Sequence, residues 1–459
     1  MRKYITLSVV TLGLLSSSAL NAADDLESMF KEGKVSGQIR LFHVDREYQG
    51  TKGNDTHRDA TAVGGHLKFE TADYKGLNFG AAFYTTNGFL MHSPKDDYSQ
   101  NDMTLLGKDN DSYSILGEAY VAYKFDNTAL KGGRVKFNSP MMGADDARML
   151  PNLFEAYTVT NTDLTNTTLS VGHITRFAQG TFGRVYDASA NSANALLSAT
   201  SGYSAVDSRD QVEEFVNVGT YAYSKSTDGV TTASVVYKKD KLKIQLWDYY
   251  AHDIVNTIYG ELNYNADFDS FKPFVAAQFI KQNDVGDSLV KNGTGFTGDG
   301  SIDSLYVAGK VGIKIGGFTT YVAYSQTTDN DESEKNEGGY ANAIITTWGG
   351  MPAYTQGMVT RHQFLAGTKA TKVVGAYSFK GHGLNLSAAA YYTSFDMDEN
   401  SGYGKSRTAT EPGFDIKYYP EMVKNLQLRF RGNFPRDFHD GATGSTGWNE
   451  YRFIVNYNF

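Results

Sequence analysis

The chain of 459 residues has no cysteine, which excludes a disulfide framework and any thiolate metal site. It also lacks a long apolar run. Past the N-terminus nothing approaches the ~20 residues that a spanning helix needs, and the mean hydropathy of −0.40 is that of a water-exposed chain. A helical membrane protein is therefore excluded, but a transmembrane barrel is not, because its strands alternate apolar and polar residues. Basic residues are in deficit: 43 Lys and Arg stand against 51 Asp and Glu, a net charge of −8, which argues against a nucleic-acid partner. Tryptophan (3) and proline (8) are scarce. Glycine (47) and tyrosine (31) are plentiful, and they suit turns, crowded walls and the boundary between water and lipid. Hydrophobic residues still make up 41% of the chain, enough for a large ordered structure.

Both ends carry addresses. Residues 1–22 read as a secretory signal. Arg2 and Lys3 form the positive start, Ile5 to Leu15 a short apolar stretch, and Ser16 to Ala22 a small-residue approach to cleavage after Ala22. The mature part, 23–459, then keeps 41 basic residues against 51 acidic ones. At the other end Tyr451, Phe453, Val455, Tyr457 and Phe459 alternate, so in a strand they share one apolar face. A soluble sandwich would expose such an edge to aggregation. The pattern is similar to the terminal strand read by the outer-membrane barrel assembly machinery.

Eighteen strand-like segments run between 35–44 and 449–459, several near the 9–11 residues of a tilted membrane strand. Their connections sort by parity. Odd-numbered ones are long (45–61, 87–114, 138–155, 178–230, 282–303, 328–362, 395–411, 434–448), with 251–255 the short exception. Even-numbered ones are tight, as at 72–76, 126–129, 239–241, 316 and 380–383. Long loops on one side and short turns on the other are the mark of a transmembrane antiparallel up-and-down β-barrel of about 18 strands. Residues 215–223 could form an extra strand and are read here as part of a long outer loop.

With the more apolar face of each strand set against lipid, the opposite face carries Arg40, Lys68, Lys124, Arg134, Lys136, Lys243, Lys272, Lys310, Lys314, Lys417, Arg429, Arg431 and Arg452. Its acids are fewer: Glu70, Glu118, Glu261, Asp415 and Glu450. Charge on the lipid face costs ~2–4 kcal/mol at mid-membrane, so an inward position alone says little. The sign bias says more, since basic pore linings favour anions. Asp248 and Lys369 fall on the apolar face, and the strand around His173 and Arg176 alternates poorly.

The segment Gly133-Arg134-Val135-Lys136, then Ser139-Pro140, then Asp145-Asp146-Ala147-Arg148-Met149-Leu150-Pro151-Asn152-Leu153-Phe154 resembles the OprD family of outer-membrane porins, in a form typical of epsilonproteobacteria. Trp348-Gly349-Gly350-Met351-Pro352-Ala353-Tyr354-Thr355 resembles a second family segment, in an outer loop. The resemblance implies eighteen strands, inward loops forming a constriction, and basic side chains guiding small carboxylate-bearing solutes. It makes 138–155, which includes Pro140, the constricting loop, with Asp145, Asp146 and Arg148 near the eyelet, and Arg134 and Arg148 first on the solute path.

Passive diffusion of small hydrophilic solutes is the expected function, without cofactor, metal or energy source, in a monomer or weak trimer surrounded by outer-membrane lipid. A receptor or adhesin barrel is the alternative. Nine histidines show no spacing that reads as a catalytic triad, so no enzyme is expected. The Asn292 to Gly300 stretch and the acidic 329–337 loop offer oxygen ligands for Ca²⁺ but no EF-hand spacing, and read as solvated loops.

Overall fold

The computed structural model of the chain describes residues 23–48, 56–89, 100–102, 104–107, 110–181, 213–223, 225–287, 289, 301–330, 342–350, 352–401, 406–441 and 444–459. The signal segment 1–22, the stretch 292–300 and most of the acidic 329–337 loop lie outside them. Within the described residues eighteen antiparallel strands close into a barrel. They are β1 (Lys34–Tyr48), β2 (Thr56–Glu70), β3 (Leu77–Gly88), β4 (Tyr113–Phe125), β5 (Thr128–Val135), β6 (Leu153–Asn161), β7 (Thr167–Ala178), β8 (Val230–Lys239) and β9 (Leu242–Ala251). Then follow β10 (Val255–Asn265), β11 (Lys272–Asp284), β12 (Asp303–Ile315), β13 (Phe318–Thr327), β14 (Lys369–Ser378), β15 (Leu386–Met397), β16 (Arg407–Tyr418), β17 (Leu426–Asn433) and β18 (Trp448–Asn458). Each pairs with the next. β18 returns to β1 in register from Gln38↔Asn458 to Tyr48↔Trp448, which leaves no open edge.

Alternation makes these segments strands. In β18, Tyr451, Phe453 and Tyr457 are exposed on the outer face, while Glu450, Arg452 and Ile454 are buried inside. The same outer face carries Ile39, Leu67, Phe83, Val121, Tyr157 and Val171, an apolar surface facing lipid rather than water. Among the tight turns, Lys75, Asp126, Asn166, Asp240 and Asn425 take left-handed backbone (φ 47–64°). That conformation, tolerated best by Asn and Asp, reverses the chain within a few residues.

Several boundaries move. Pairing of β1 with β2 continues to Tyr48↔Thr56, so the first outer connection shrinks from 45–61 to 49–55. The strand expected over 363–379 starts at Lys369, because a 3₁₀ turn, His362–Phe364, precedes it. β16 starts at Arg407 rather than at 412. Residues 215–223 do not span the membrane: Val216–Asn217 adds a two-residue strand beside β7, and Val218–Tyr223 is helical. The poor alternation near Arg176 has a cause, since a register shift opposite Glu155 and Ala156 leaves Thr175 as an extra residue in β7. A short helix, α1 (Leu26–Lys31), is capped by Asp25, which accepts from the Ser28 N–H at 2.7 Å. It buries Met29 against Ala23 and Ala72 at the short-turn end of the barrel.

Candidate functional site

Three pieces of the long outer connections fold into the barrel: 136–152, the 218–223 helix and 342–368. They bring Met141, Met142, Val218, Tyr221, Tyr223, Ile344, Ile345, Trp348 and Phe364 against the inward residues Phe154, Phe177, Trp247, Tyr249, Tyr259 and Tyr306. These wall residues lie on β6, β7, β9, β10 and β12. One half of the lumen is thus a packed core, with Trp348 Nε1 donating to the Val218 carbonyl at 3.1 Å.

The two segments that resemble family motifs meet each other. The Gly143 N–H donates to the Trp348 carbonyl at 3.2 Å. The Gly350 N–H donates to Asp145 Oδ2 at 3.1 Å. A β-carbon on Gly143 would stand 2.8 Å from Gly350 Cα, and one on Gly350 would stand 2.4 Å from the Pro140 carbonyl, with φ at +95°. The backbones cross there because neither residue has a side chain. Burial raises the Asp145 pKa to about 6, with Arg361 and the Gly350 N–H pulling the other way. Its neighbour Asp146 shifts oppositely. Burial disfavours its charge, but Arg40 and Lys136 beside it hold the pKa below the ordinary carboxylate value.

Segment 342–368 is fastened to the wall by polar side chains that point inward from the strands. Gln282 donates to the Ile345 carbonyl at 2.8 Å and accepts from the Ile345 N–H at 2.7 Å. Gln278 does the same for Pro352 and Tyr354 at 3.0 and 3.1 Å. Thr327 and Thr393 donate to the carbonyls of Gln363 and Thr355 at 2.7 and 2.6 Å. Glu411 accepts from the Met358 N–H at 2.7 Å and from the Thr360 hydroxyl at 2.5 Å. Backbone groups that would otherwise be desolvated inside the barrel are satisfied this way.

The other half of the wall, from β12 round to β5, carries charge. Arg40 and Lys136 hold Asp146 at 2.6 and 2.9 Å. Asp415 takes Arg429 in a two-pronged contact at 2.8 and 2.6 Å, with Lys417 at 3.6 Å and Arg431 at 4.0 Å. The Lys417 side chain stays 35% exposed. Lys310 lies over Tyr354 at 4.2 Å, and Lys314 over Phe274 at 5.7 Å. Lys68 pairs with Glu118 at 3.2 Å, and Lys131 lies over Tyr120 at 3.6 Å.

Two of the expected solute-path residues are placed elsewhere. Arg134 is in register with Ala119 and Glu155, on the face of the exposed Tyr157 and Val159, and its guanidinium stacks on Phe215 at 4.5 Å. Lys131, on the opposite face, pairs with the buried Thr158 and points inward. Arg148 is inside the barrel but only 3% exposed, donating to Glu450 Oε1 at 2.8 Å. Lys131, Lys372, Glu411 and Arg46 are inward charges that the sequence reading missed. Arg46 and Glu411 lay just past strand ends drawn too short, and carrying the alternation of Arg40, Phe42 and Val44 onward would have found Arg46. Asp248 and Lys369 lie near the outer ends of β9 and β14, Asp248 accepting from Asn256 at 2.6 Å.

The comparisons agree with this architecture. A family model for outer membrane porins of the OprD family matches residues 27–459. The fold is shared with the crystal structure of Pseudomonas aeruginosa OpdK with vanillate (TM-score 0.71, 16% identity, 94% of this chain and 99% of that one). It is shared with P. aeruginosa OccK9 (OpdG) at TM-score 0.73, 18% identity and the same coverage. P. aeruginosa OccK2 (OpdF) in complex with glucuronate gives 0.68, 15%, 94% and 97%. No curated protein sequence matches the chain. A closed barrel with inward loops defines an outer-membrane porin. The chain belongs to the OprD family.

Proposed function

We propose that this porin passes small hydrophilic solutes bearing a carboxylate, by passive diffusion along the charged half of its lumen. The observation that carries the reading is the run of basic side chains on β12, β14, β16, β17, β1, β2 and β5. Lys310, Lys372, Lys417, Arg429, Arg40, Lys68 and Lys131 stand there on the inner face of a chain whose net charge is −8. Basic rings favour anions, and successive weak contacts let a solute leave as easily as it enters. OpdK and OccK2, which share the fold, have been solved with vanillate and with glucuronate, both carboxylates. In the same reading residues 1–22 are a cleaved signal, and the apolar face of β18 with Phe459 is the address for barrel assembly.

Single-channel recording of the refolded mature protein in a planar bilayer, under a salt gradient, tests this. Discrete steps with anion preference, reduced by added vanillate or glucuronate, are expected. Cation preference would overturn the basic path. Absence of conductance from folded protein would return the receptor reading.

A further inference from the structure

Glu450 ties two outer loops to the seam of the barrel. Its Oε1 accepts from Arg148 Nη2 at 2.8 Å and from Arg452 Nε at 2.5 Å. Its Oε2 accepts from Arg46 Nε at 2.9 Å. Arg46 in turn reaches Asp102 Oδ2 through Nη1 at 3.1 Å. Glu450, Arg46, Arg148, Arg452 and Asp102 are all buried. Arg46 and Glu450 face each other across β1 and β18, the strands that close the barrel. Arg148 belongs to the constricting connection 136–152, and Asp102 to the connection between β3 and β4.

We propose that Glu450 is a positioning residue that clamps the constricting loop against the barrel seam and so keeps the solute passage clear. Three guanidinium groups converge on one carboxylate away from water. Such an arrangement is costly to break by removing one partner, because the others stay buried with less of their charge balanced, Arg46 retaining Asp102. Without the carboxylate, Arg46, Arg148 and Arg452 repel one another. Arg46 and Arg452 are fixed on strands whose backbone ladders are complete. Arg148 sits on a connection, so it is the group that moves, toward water in the lumen. The stretch 146–149 moves with it, since the carbonyls of Arg148 and Met149 accept from the long, flexible side chain of Arg40, while Leu150 is anchored to Thr181 and marks where the movement stops. The loop then enters the passage that Lys136, Asp146 and Arg40 border.

The clamp rests on the porin class, which the family match carries, and not on a preference for carboxylates. The test therefore reads steadiness of current rather than selectivity. Single-channel recordings compare the wild type with Glu450→Gln, Arg148→Met and the double variant. Each single variant is expected to raise the frequency of brief partial closures by about tenfold or more, the scale of losing a charged hydrogen bond. The double variant should be no worse than Glu450→Gln, because both single variants break the same Arg148–Glu450 contact. Glu450→Asp, which keeps the charge but shortens the reach, should fall between, with thermal unfolding of the barrel close to wild type. Steady wild-type current in folded Glu450→Gln or Arg148→Met would overturn the clamp. Closures in Glu450→Gln with none in Arg148→Met would overturn it as well, in favour of a charge effect. If Glu450→Gln does not fold, Arg148→Met decides alone, and failure of both to fold would mean that the contact holds the barrel and not the loop.

Discussion

Two halves of the lumen obey the same strand alternation and end up as opposite materials. On β6 to β12 the inward residues Phe154, Trp247, Tyr259 and Tyr306 are covered by Met141, Ile344, Trp348 and Phe364, and Tyr306 is fully buried. On β14 round to β5 the inward residues include Lys372, Lys417, Arg429, Arg40, Lys68 and Lys131, of which Lys417, Arg429 and Lys68 keep part of their side chains exposed. An inward direction alone makes neither a core nor a pore lining. Where the loops meet aromatic wall residues they make protein interior, whereas on the charged side they touch the wall through Arg40, Lys372 and Glu411 and leave Lys417 and Arg429 partly exposed.

Removing a large side chain from the packed half should have the greatest effect. Trp348→Ala or Phe364→Ala is expected to cost about 3–5 kcal/mol in the loop-packed state, the usual scale for an aromatic deleted from a core. Protease cleavage in 342–368 against denaturant would measure it while the barrel persists. An unchanged profile would mean that this half is not packed as described.

The crossing of the two loops is the next test. Gly350→Ala places a β-carbon 2.4 Å from the Pro140 carbonyl at positive φ. We expect a loss on the order of 1–3 kcal/mol by the same assay, from overpacking and backbone strain. Wild-type behaviour would show that the backbones do not cross so closely.

Acid should separate the two neighbouring carboxylates. The folded pKa of Asp145 is raised to about 6. Its contribution is therefore fully present below the unfolded value near 3.8 and is lost as pH rises through 6. Asp145→Asn should stabilise the loop contact at pH 7 by on the order of 1–3 kcal/mol and flatten the pH dependence between 4 and 6. The folded pKa of Asp146 is lowered, so its contribution is present above the unfolded value and is lost as pH falls. Asp146→Asn should accordingly weaken the contact at pH 7. Equal responses of the two variants would contradict the opposite placements.

The smallest effect in stability belongs to the charged half, where the readout is selectivity. Lys417→Ala should change unfolding by no more than about 0.5 kcal/mol, as for other exposed ion pairs. It should also lower the anion-to-cation permeability ratio by roughly two- to fivefold, the equivalent of ~0.5–1 kcal/mol. A selectivity shift as large in a packed-half variant such as Tyr306→Phe would erase the distinction between the halves.

Much of this could be read before the fold. The alternation over 449–459 gave β18 its two faces, the parity of the connections gave the barrel and its sidedness, and Arg40, Lys68, Lys310, Lys417 and Arg429 were placed inward by period alone. The failures have local causes. Gly132 and Gly133 carry no side chain to mark parity, so Arg134 was taken for the inward residue that Lys131 is. Arg46 and Glu411 were lost where strands were ended too early. Arg148 was expected in the passage because it matches a family motif position, and a motif does not show its partner Glu450, 302 residues away.

Period-two patterning, turn residues and the charge of each face are local properties, and local forces suffice to fix them: a strand in lipid must turn its polar groups inward, and Asn or Asp reverses a short turn wherever it stands. The class of the protein was therefore written along the chain. Which inward residues meet water depended on where 136–152 and 342–368 settle. Those positions come from long-range contacts, Gly143 on Gly350, Gln278 on Pro352 and Arg148 on Glu450, whose energies exist only once the barrel has closed and brought both partners out of water together.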